Sequence, residues 1–408
     1  MPNSHSADRE PSRRALIAGA AATVVACSTA GATRSYGASE PTAGSRPRPF
    51  GPVTVYAPPA GTEGWGVKYA RLTQVPGSAR RPSTLVSTCE NLFDPVDYAF
   101  LVFRSTDGGR RWGQIGKVED SRSGVKPRWQ PALYTLPEPF AGLPRGALLA
   151  AGNTIPDDYS STRIDVLASL DGGRSWHHRG TVARGGPPIP NNGETPVWEP
   201  FLLLHRRRLI CYYSDQRDPG HGQKLVHQTS TDLVHWGPVV NDQADPVYDR
   251  RPGMPAVAQL GDGRWILTWE DGNNSEVSFG VAYKIAADPE RFSSVAPQLL
   301  RTAGGLVPIG SPTVAWSPVG GKRGTIVVSA GENEELFLNR AGGNGSWTTM
   351  TSLVPRGYSR QVQLGRGGKI LTIGGGPGNF PPPQLNKVQF GIDTVPVIAR
   401  GAPAGAGG

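Results

Sequence analysis

Two glutamates stand out by their surroundings. Glu199 lies in Pro196-Val197-Trp198-Glu199-Pro200-Phe201, directly before the apolar run Phe201–Leu204. A carboxyl fixed between Trp and Pro at the start of a strand sits in a partly apolar place, which raises its pKa and suits a general acid. Glu270 closes Trp265-Ile266-Leu267-Thr268-Trp269-Glu270, a strand-like run that carries it to a strand end. Taken singly, each could equally be a rim glutamate paired with Arg. Brought to one pocket, they are what cleavage of a glycosidic bond requires: one protonates the leaving oxygen, and the other attacks the anomeric carbon or activates water.

The elements that must bring them together are internal repeats. Ser105-Thr106-Asp107-Gly108-Gly109-Arg110-Arg111-Trp112 and Ser169-Leu170-Asp171-Gly172-Gly173-Arg174-Ser175-Trp176 share S-x-D-x-G-x-x-W, and Ser230-Thr231-Asp232-Leu233-Val234-His235-Trp236 is a shorter copy without the Gly. The pattern resembles the Asp-box of sialidase-like propellers. It makes sense as a hairpin tip, with Asp and Ser bonding within the turn, Gly at positive φ and Trp as a cover. Short apolar strands also recur, centred near Leu85, Leu149, Ile210, Leu267, Val328 and Leu371. Six units of this size fill the chain from about residue 50 onward, which predicts an all-β fold, a six-bladed β-propeller of four-stranded antiparallel blades. Val53–Tyr56 would close the ring against Val388–Val395, removing the open sheet edge.

In such a ring the innermost strands all start at one mouth. They open at Tyr69 to Arg71, Trp129-Gln130, Trp198-Glu199, Arg250 to Met254, Gly310-Ser311 and Tyr358 to Arg360. The second strands return to that mouth and bring Asn153, Asp215 and Glu270. The Asp-box turns fall on the opposite face, so Asp107, Asp171 and Asp232 are expected to be structural.

Composition agrees and excludes other classes. Gly (54) and Pro (39) are abundant and charged residues make up 18%, as expected of many short strands joined by tight turns. The net charge is +9, and residues 1–48 hold six Arg against three acidic residues. No basic stripe with interleaved aromatics follows, so a nucleic-acid partner is not expected. No cluster suggests a metal ligand set, and no cofactor is expected. Residues 1–32, with Ser12-Arg13-Arg14 before the apolar run Ala15–Ala26, read as a twin-arginine export signal. Cleavage after Ala30 or Ala32 would release a secreted protein; alternatively, Val24-Val25-Ala26-Cys27 resembles a lipoprotein site, with lipid on Cys27 and a cell-surface tether. Residues 33–50 read as a flexible lead-in, 51–398 as the propeller and 399–408 as a disordered tail. Cys89 and Cys211 could form at most one disulfide. A monomer is expected.

Longer motifs carry a specific resemblance. Asn191-Asn192-Gly193-Glu194-Thr195-Pro196-Val197-Trp198-Glu199-Pro200-Phe201, Cys211-Tyr212-Tyr213-Ser214-Asp215-Gln216-Arg217, His221-Gly222-Gln223-Lys224-Leu225, Arg251-Pro252-Gly253-Met254-Pro255, Leu267-Thr268-Trp269-Glu270 and Gly357-Tyr358-Ser359-Arg360 are similar, in order and spacing, to glycoside hydrolase family 93, the exo-1,5-α-L-arabinanases. The likeness runs roughly from Gly64 to Gly376. It implies release of arabinobiose from linear arabinan by a retaining, metal-free mechanism. By motif, Glu199 is the implied acid/base, Glu270 the implied nucleophile, and Tyr358 the implied residue that tunes Glu270 by a hydrogen bond. Arabinan or an arabino-oligosaccharide is the implied partner. For sugar binding, Arg71, Trp129, Asn153, Asn192, Trp198 and Arg251 are candidates because each is expected at the mouth.

Two rival readings remain at this point. An exo-sialidase would grip a carboxylated sugar with three arginines, and Arg71, Arg251 and Arg360 could mimic that triad. A non-catalytic carbohydrate-binding propeller would keep the pocket without needing both glutamates.

Overall fold

The computed structural model describes residues 48–59, 66–77, 83–92, 97–376 and 387–397. The export signal, most of the lead-in and the C-terminal tail lie outside the described residues. Six antiparallel sheets of four strands follow one another along the chain. Blade 1 is Arg71–Val75, Thr84–Cys89, Phe100–Ser105 and Gly113–Val118; blade 2 is Trp129–Thr135, Leu148–Thr154, Thr162–Ser169 and His177–Gly185; blade 3 is Val197–His205, Arg208–Asp215, Lys224–Ser230 and Val240–Gln243. Blade 4 is Arg251–Gln259, Trp265–Gly272, Gly280–Ala286 and Gln298–Leu299, and blade 5 is Thr313–Ser317, Thr325–Ser329, Glu335–Asn339 and Thr348–Thr351. Blade 6 takes Gln361–Leu364, Ile370–Gly375 and Val388–Asp393 from the end of the chain and Phe50–Tyr56 from its beginning.

The recurring apolar centres all fall in the second strand of a blade, and the expected closing strand pairs with Val388–Asp393 in antiparallel register, Val53 opposite Phe390. Closure leaves no exposed ladder edge at the seam. The first strand of each blade packs against the first strands of its two neighbours, forming an inner ring. Apolar clusters fill the spaces between consecutive sheets. One joins Leu149, Ile164 and Val166 of blade 2 to Val197, Leu202 and Tyr213 of blade 3; another joins Phe390 of blade 6 to Leu72 and Phe103 of blade 1. Cys89 and Cys211 are free, buried in separate clusters and unpaired. Among the described residues, no helix is long and apolar enough to cross a membrane.

The repeated turns are built as their side chains suggest. Ser105 Oγ donates to Asp107 and accepts from Gly109 N–H, while Arg110 N–H and Arg111 N–H both reach Asp107 Oδ1. Trp112 Nε1 donates to Gly109 O at 3.0 Å, and its ring meets Phe390 of the neighbouring blade edge-on. The Ser169–Trp176 turn repeats the pattern. In the third copy Leu233 takes the glycine's place at φ +71°, and Trp236 still donates to its carbonyl. A fourth, divergent turn was not read from the sequence. In it Asn339 Oδ1 accepts from Ala341 N–H and Gly343 N–H, followed by the buried Trp347. The aspartates serve these turns.

Gly109 and Gly172 separate backbone strain from packing. Both have positive φ, but a Cβ at Gly109 would lie 2.0 Å from Phe390 Cε1, whereas one at Gly172 meets nothing within 4 Å. Gly172→Ala is expected to cost about 1–2 kcal/mol, from left-handed strain alone. Gly109→Ala is expected to cost roughly 1–3 kcal/mol more, from overpacking between blades. Denaturant unfolding of both variants measures the difference; equal losses would show that the blade 1–blade 6 contact is not tight.

Candidate active site

Each inner strand begins with a non-glycine residue in the left-handed region: Tyr69, Gln130, Glu199, Met254, Ser311 and Ser359, with φ from 37° to 61°. In blades 2, 3 and 4 this residue coincides with a register shift against the second strand, a β-bulge. Pro131, Pro200, Pro255 and Pro312 follow four of the six residues. Proline has no N–H, so no donor is stranded where the ladder is broken. Five of the left-handed N–H groups donate to a side chain of the preceding blade. Gln130 N–H reaches Glu90 Oε1 (2.6 Å), Glu199 N–H reaches Gln130 Oε1 (3.0 Å) and Met254 N–H reaches Glu199 Oε2 (2.7 Å). Ser311 N–H reaches Glu270 Oε2 (2.6 Å), and Ser359 N–H reaches Ser311 Oγ (3.1 Å). Arg71 completes the seam by donating to Ser359 O and Oγ.

This ring fixes both glutamates. Glu199 Oε2 accepts from Met254 N–H and from Ser214 Oγ (2.7 Å), and Tyr69 OH approaches Oε1 at 3.5 Å. Glu270 Oε2 accepts from Ser311 N–H; among the described residues, its Oε1 accepts no hydrogen bond. Gly253 stands opposite Glu270 in the ladder, and a methyl group placed on it would lie 3.3 Å from Glu199 Oε2 and 3.7 Å from Glu270 Oε1. The two oxygens are therefore no more than about 7 Å apart, a span that includes the spacing at which two carboxyls act on one glycosidic bond.

Burial raises both carboxyls above the ordinary range. For Glu199 it outweighs the opposing effects of Ser214, Met254 N–H and the Arg251 charge. Glu270 is pushed up to about 8 by burial first and then by the Glu199 charge, with Glu332 adding to the push. The pair therefore shares a proton near neutral pH, as neighbouring carboxyls in a dry site must.

Both glutamates line a cavity of about 980 Å³. Trp129, Trp198, Arg251 and Tyr358 line it too, as expected from the sequence. Trp129 and Trp198 are stacked with ring centroids 6.2 Å apart, and Trp198 Nε1 is anchored on Gln216. Arg251 is held by Asn192, Gln216 and Gln223. Other expectations need correction. Arg71 lies on the channel side of the inner ring, not on the cavity wall, because Ser359 takes its guanidinium. Asn153 is fully buried and donates to Val197 O, bracing blade 3 rather than reaching the cavity. Asn192 does not line the cavity and acts through Arg251. Tyr358 makes no hydrogen bond to Glu270; its ring packs edge-on against Tyr69 at 5.1 Å, with Lys68 Nζ over its face. Arg360 is wholly buried and donates to Ser329 and to four backbone carbonyls, so it is unavailable to a ligand.

Sequence reasoning missed Glu90, Ser214, Gln223 and Glu332, and placed Gln130 at the mouth without giving it a role. Ser214 and Gln223 lay within quoted motifs; Glu90 and Glu332 had no motif and could have been found only through strand register. The gap at Gly253 supplies a direct test. Gly253→Ala brings a methyl to 3.0 Å from Gln223 Nε2, 3.3 Å from Glu199 Oε2 and 3.7 Å from Glu270 Oε1, and is expected to lower kcat/KM by at least about 10²-fold. Steady-state kinetics with a thermal-melt control measure this; wild-type kcat/KM in a folded variant would show that nothing reacts in that gap.

Neither a protein-family model nor a curated protein matches the sequence. Solved structures do. An α-L-arabinanase of Penicillium chrysogenum complexed with arabinobiose is 39% identical, with a TM-score of 0.78, covering 85% of this chain and 98% of that one. The GH93 α-L-arabinofuranosidase of Fusarium graminearum with arabinobiose is also 39% identical, with a TM-score of 0.78, covering 84% and 97%. A sialidase of Streptococcus pneumoniae shares the fold alone, at 11% identity and a TM-score of 0.51. With that identity over nearly the whole of its relatives, and with two carboxyls facing one gap, this chain belongs to glycoside hydrolase family 93.

Proposed function

We propose that this protein is an exo-acting α-L-arabinanase that releases arabinobiose from linear 1,5-linked arabinan with retention of configuration. The observation that carries the reading is the pair Glu199 and Glu270 flanking Gly253 in one cavity, on a chain 39% identical to proteins solved with arabinobiose. The engagement of Arg71 and Arg360 in structural hydrogen bonds speaks against a three-arginine clamp for sialic acid.

In this reading Glu199 is the acid/base and Glu270 the nucleophile. Two donors already occupy Glu199 Oε2, so Oε1 is the atom that carries the proton to the leaving oxygen. Glu270 Oε1, which accepts no hydrogen bond among the described residues and lies beside Gly253 as Glu199 Oε2 does, attacks the anomeric carbon. The glycosyl–Glu270 ester is then cleaved by a water that Glu199 deprotonates. No metal is required for any of these steps. Tyr69 and Tyr358 are buried, and their hydroxyls are held protonated, well above the usual tyrosine range, chiefly by desolvation. They remain neutral donors beside the carboxyls. The stacked Trp129 and Trp198 offer ring faces to the sugar, and Arg251 offers donors.

We also propose export by the twin-arginine route, with cleavage after Ala30 or Ala32 or a lipid on Cys27, and action as a monomer. Replacing Arg13 and Arg14 with Lys should leave precursor inside the cell; unchanged export would remove this route.

Glu199→Ala and Glu270→Ala are each expected to lower the rate on debranched arabinan by at least about 10³-fold. The roles separate by azide rescue on an activated aryl arabinoside. Azide trapping the ester in Glu199→Ala gives a glycosyl azide of retained configuration, whereas azide replacing the carboxylate in Glu270→Ala gives the inverted one. The opposite pattern would exchange the roles, and inverted sugar from the wild-type enzyme, followed by NMR, would end the retaining assignment. Ser214→Ala removes a donor to the Glu199 carboxylate, so the Glu199 pKa rises and the alkaline limb of kcat/KM should move to higher pH. A limb that moves down would show that Glu199 is not the acid.

A further inference from the structure

The inner ring assigns one position per blade to the residue that pairs with the neighbour of the left-handed residue. In blade 4 that position is Glu270, opposite Gly253 and accepting the Ser311 N–H of the next blade at 2.6 Å. In blade 1 the position is Glu90. Its N–H bonds to Lys68 O, next to left-handed Tyr69, and its Oε1 accepts the Gln130 N–H of the next blade, also at 2.6 Å. Blades 2 and 3 fill the position with Asn153 and Ser214. Blades 1 and 4 are three apart in a ring of six, so Glu90 faces Glu270 from the other side of the cavity that both line.

Nothing in the two-carboxylate chemistry needs this third acid. Glu90 is 3% exposed. Among the described residues, no hydrogen bond reaches its Oε2, and that oxygen is not sealed from solvent, so it stays open on the cavity that Glu90 lines. Its surroundings are also unlike those of a structural ion pair. Burial pushes its carboxyl up to about 7 despite the nearby charges of Lys68 and Arg71. Asn153 and Ser214, in the matching positions, turn their polar atoms into the protein, to Val197 O and Glu199 Oε2.

We propose that Glu90 is a specificity-determining carboxylate that accepts hydrogen bonds from the hydroxyl groups of the sugar unit bound toward blade 1. The proposal rests on the arabinan reading above. A carboxylate oxygen accepting from sugar hydroxyls is a charge-assisted contact, and a site built around such a contact rejects an analogue lacking the hydroxyl. Gln130 N–H and Oε1 tie Glu90 to the Glu199 backbone, so the anchor and the acid belong to one hydrogen-bonded chain.

The test uses Glu90→Gln, which keeps an oxygen for Gln130 N–H and removes the charge. On arabinotriose the variant should raise KM by at least about tenfold, more than it lowers kcat, the signature of lost ground-state binding. A set of monodeoxy arabinotrioses then completes a cycle. One deoxygenation should cost the wild-type enzyme at least about tenfold in kcat/KM and cost the variant much less, because its partner is already gone. A fall in kcat at unchanged KM, or equal losses in both enzymes for every deoxy position, would overturn the proposal and leave Glu90 a positioning residue for Gln130. Wild-type enzyme that does not cleave arabinotriose at all would remove the substrate reading itself, and the Glu90 assignment with it.

Discussion

The structure depends on a repeated conformational strain at the head of each inner strand. A left-handed, non-glycine residue costs about 1–2 kcal/mol, and the ring contains six of them. The strain turns a backbone N–H out of the blade's own ladder and toward the blade before it, where a side chain accepts it. In three of the five such contacts the acceptor is a glutamate, and these carboxylates line the cavity. Since an isolated buried carboxylate is unstable, the hydrogen bond that orients each glutamate also makes its burial tolerable. Blade-to-blade registry and active-site geometry are thus one network, and a shift of one blade would move a catalytic oxygen.

The network also explains the local sequence around the site. Proline after the left-handed residue suits a bulge in which no N–H is wanted, and Pro200 follows Glu199 for that reason. A side chain at Gly253 would press first on Gln223 Nε2, at 3.0 Å, and then on both carboxyls. The closing strand Phe50–Tyr56 contributes nothing to the cavity, yet it completes blade 6, against which Arg71 and Ser359 close the ring. Catalytic geometry therefore requires both ends of the propeller.

How much of this the sequence disclosed depends on the type of information. Blade count, the second strands and the closing strand were legible because apolar runs and S-x-D-x-G-x-x-W turns repeat at the period of a whole blade. Glu199, Trp198 and Arg251 were legible because strong local motifs sit where inner strands open, and Glu270 because one sits where a second strand returns to the same mouth. What was lost turned on single-residue register. Arg71 is two positions from Tyr69 and Asn153 stands opposite Trp129 in the ladder, but strand alternation and the bulge point both away from the cavity. Arg360 has a charge in a suggestive motif, and only the structure shows backbone carbonyls surrounding it. Glu90 lies in Thr88-Cys89-Glu90-Asn91, which has no recognisable pattern; its place is evident only once blade 1 is superposed in register on blade 4.

The proposed mechanism needs the proton on Glu199 and the charge on Glu270, whereas the surroundings of the two carboxyls favour the opposite order. Glu199 has Ser214, Met254 N–H and the Arg251 charge to favour its carboxylate, whereas Glu270 has one N–H and two neighbouring acids against it. Left alone, the shared proton favours Glu270. A developing positive charge at the anomeric carbon beside Glu270 attracts its carboxylate strongly in so dry a site. That charge lowers the pKa of the Glu270 carboxyl and favours its ionised form. The leaving oxygen gains negative charge at the same time and draws the proton to Glu199. In the proposed mechanism, the substrate's own charge redistribution would set which glutamate acts as acid and which as nucleophile. Moving the proton from Glu270 to Glu199 is part of the barrier, and charge that develops only in the transition state offsets that cost, so the compensation acts on kcat rather than on binding alone.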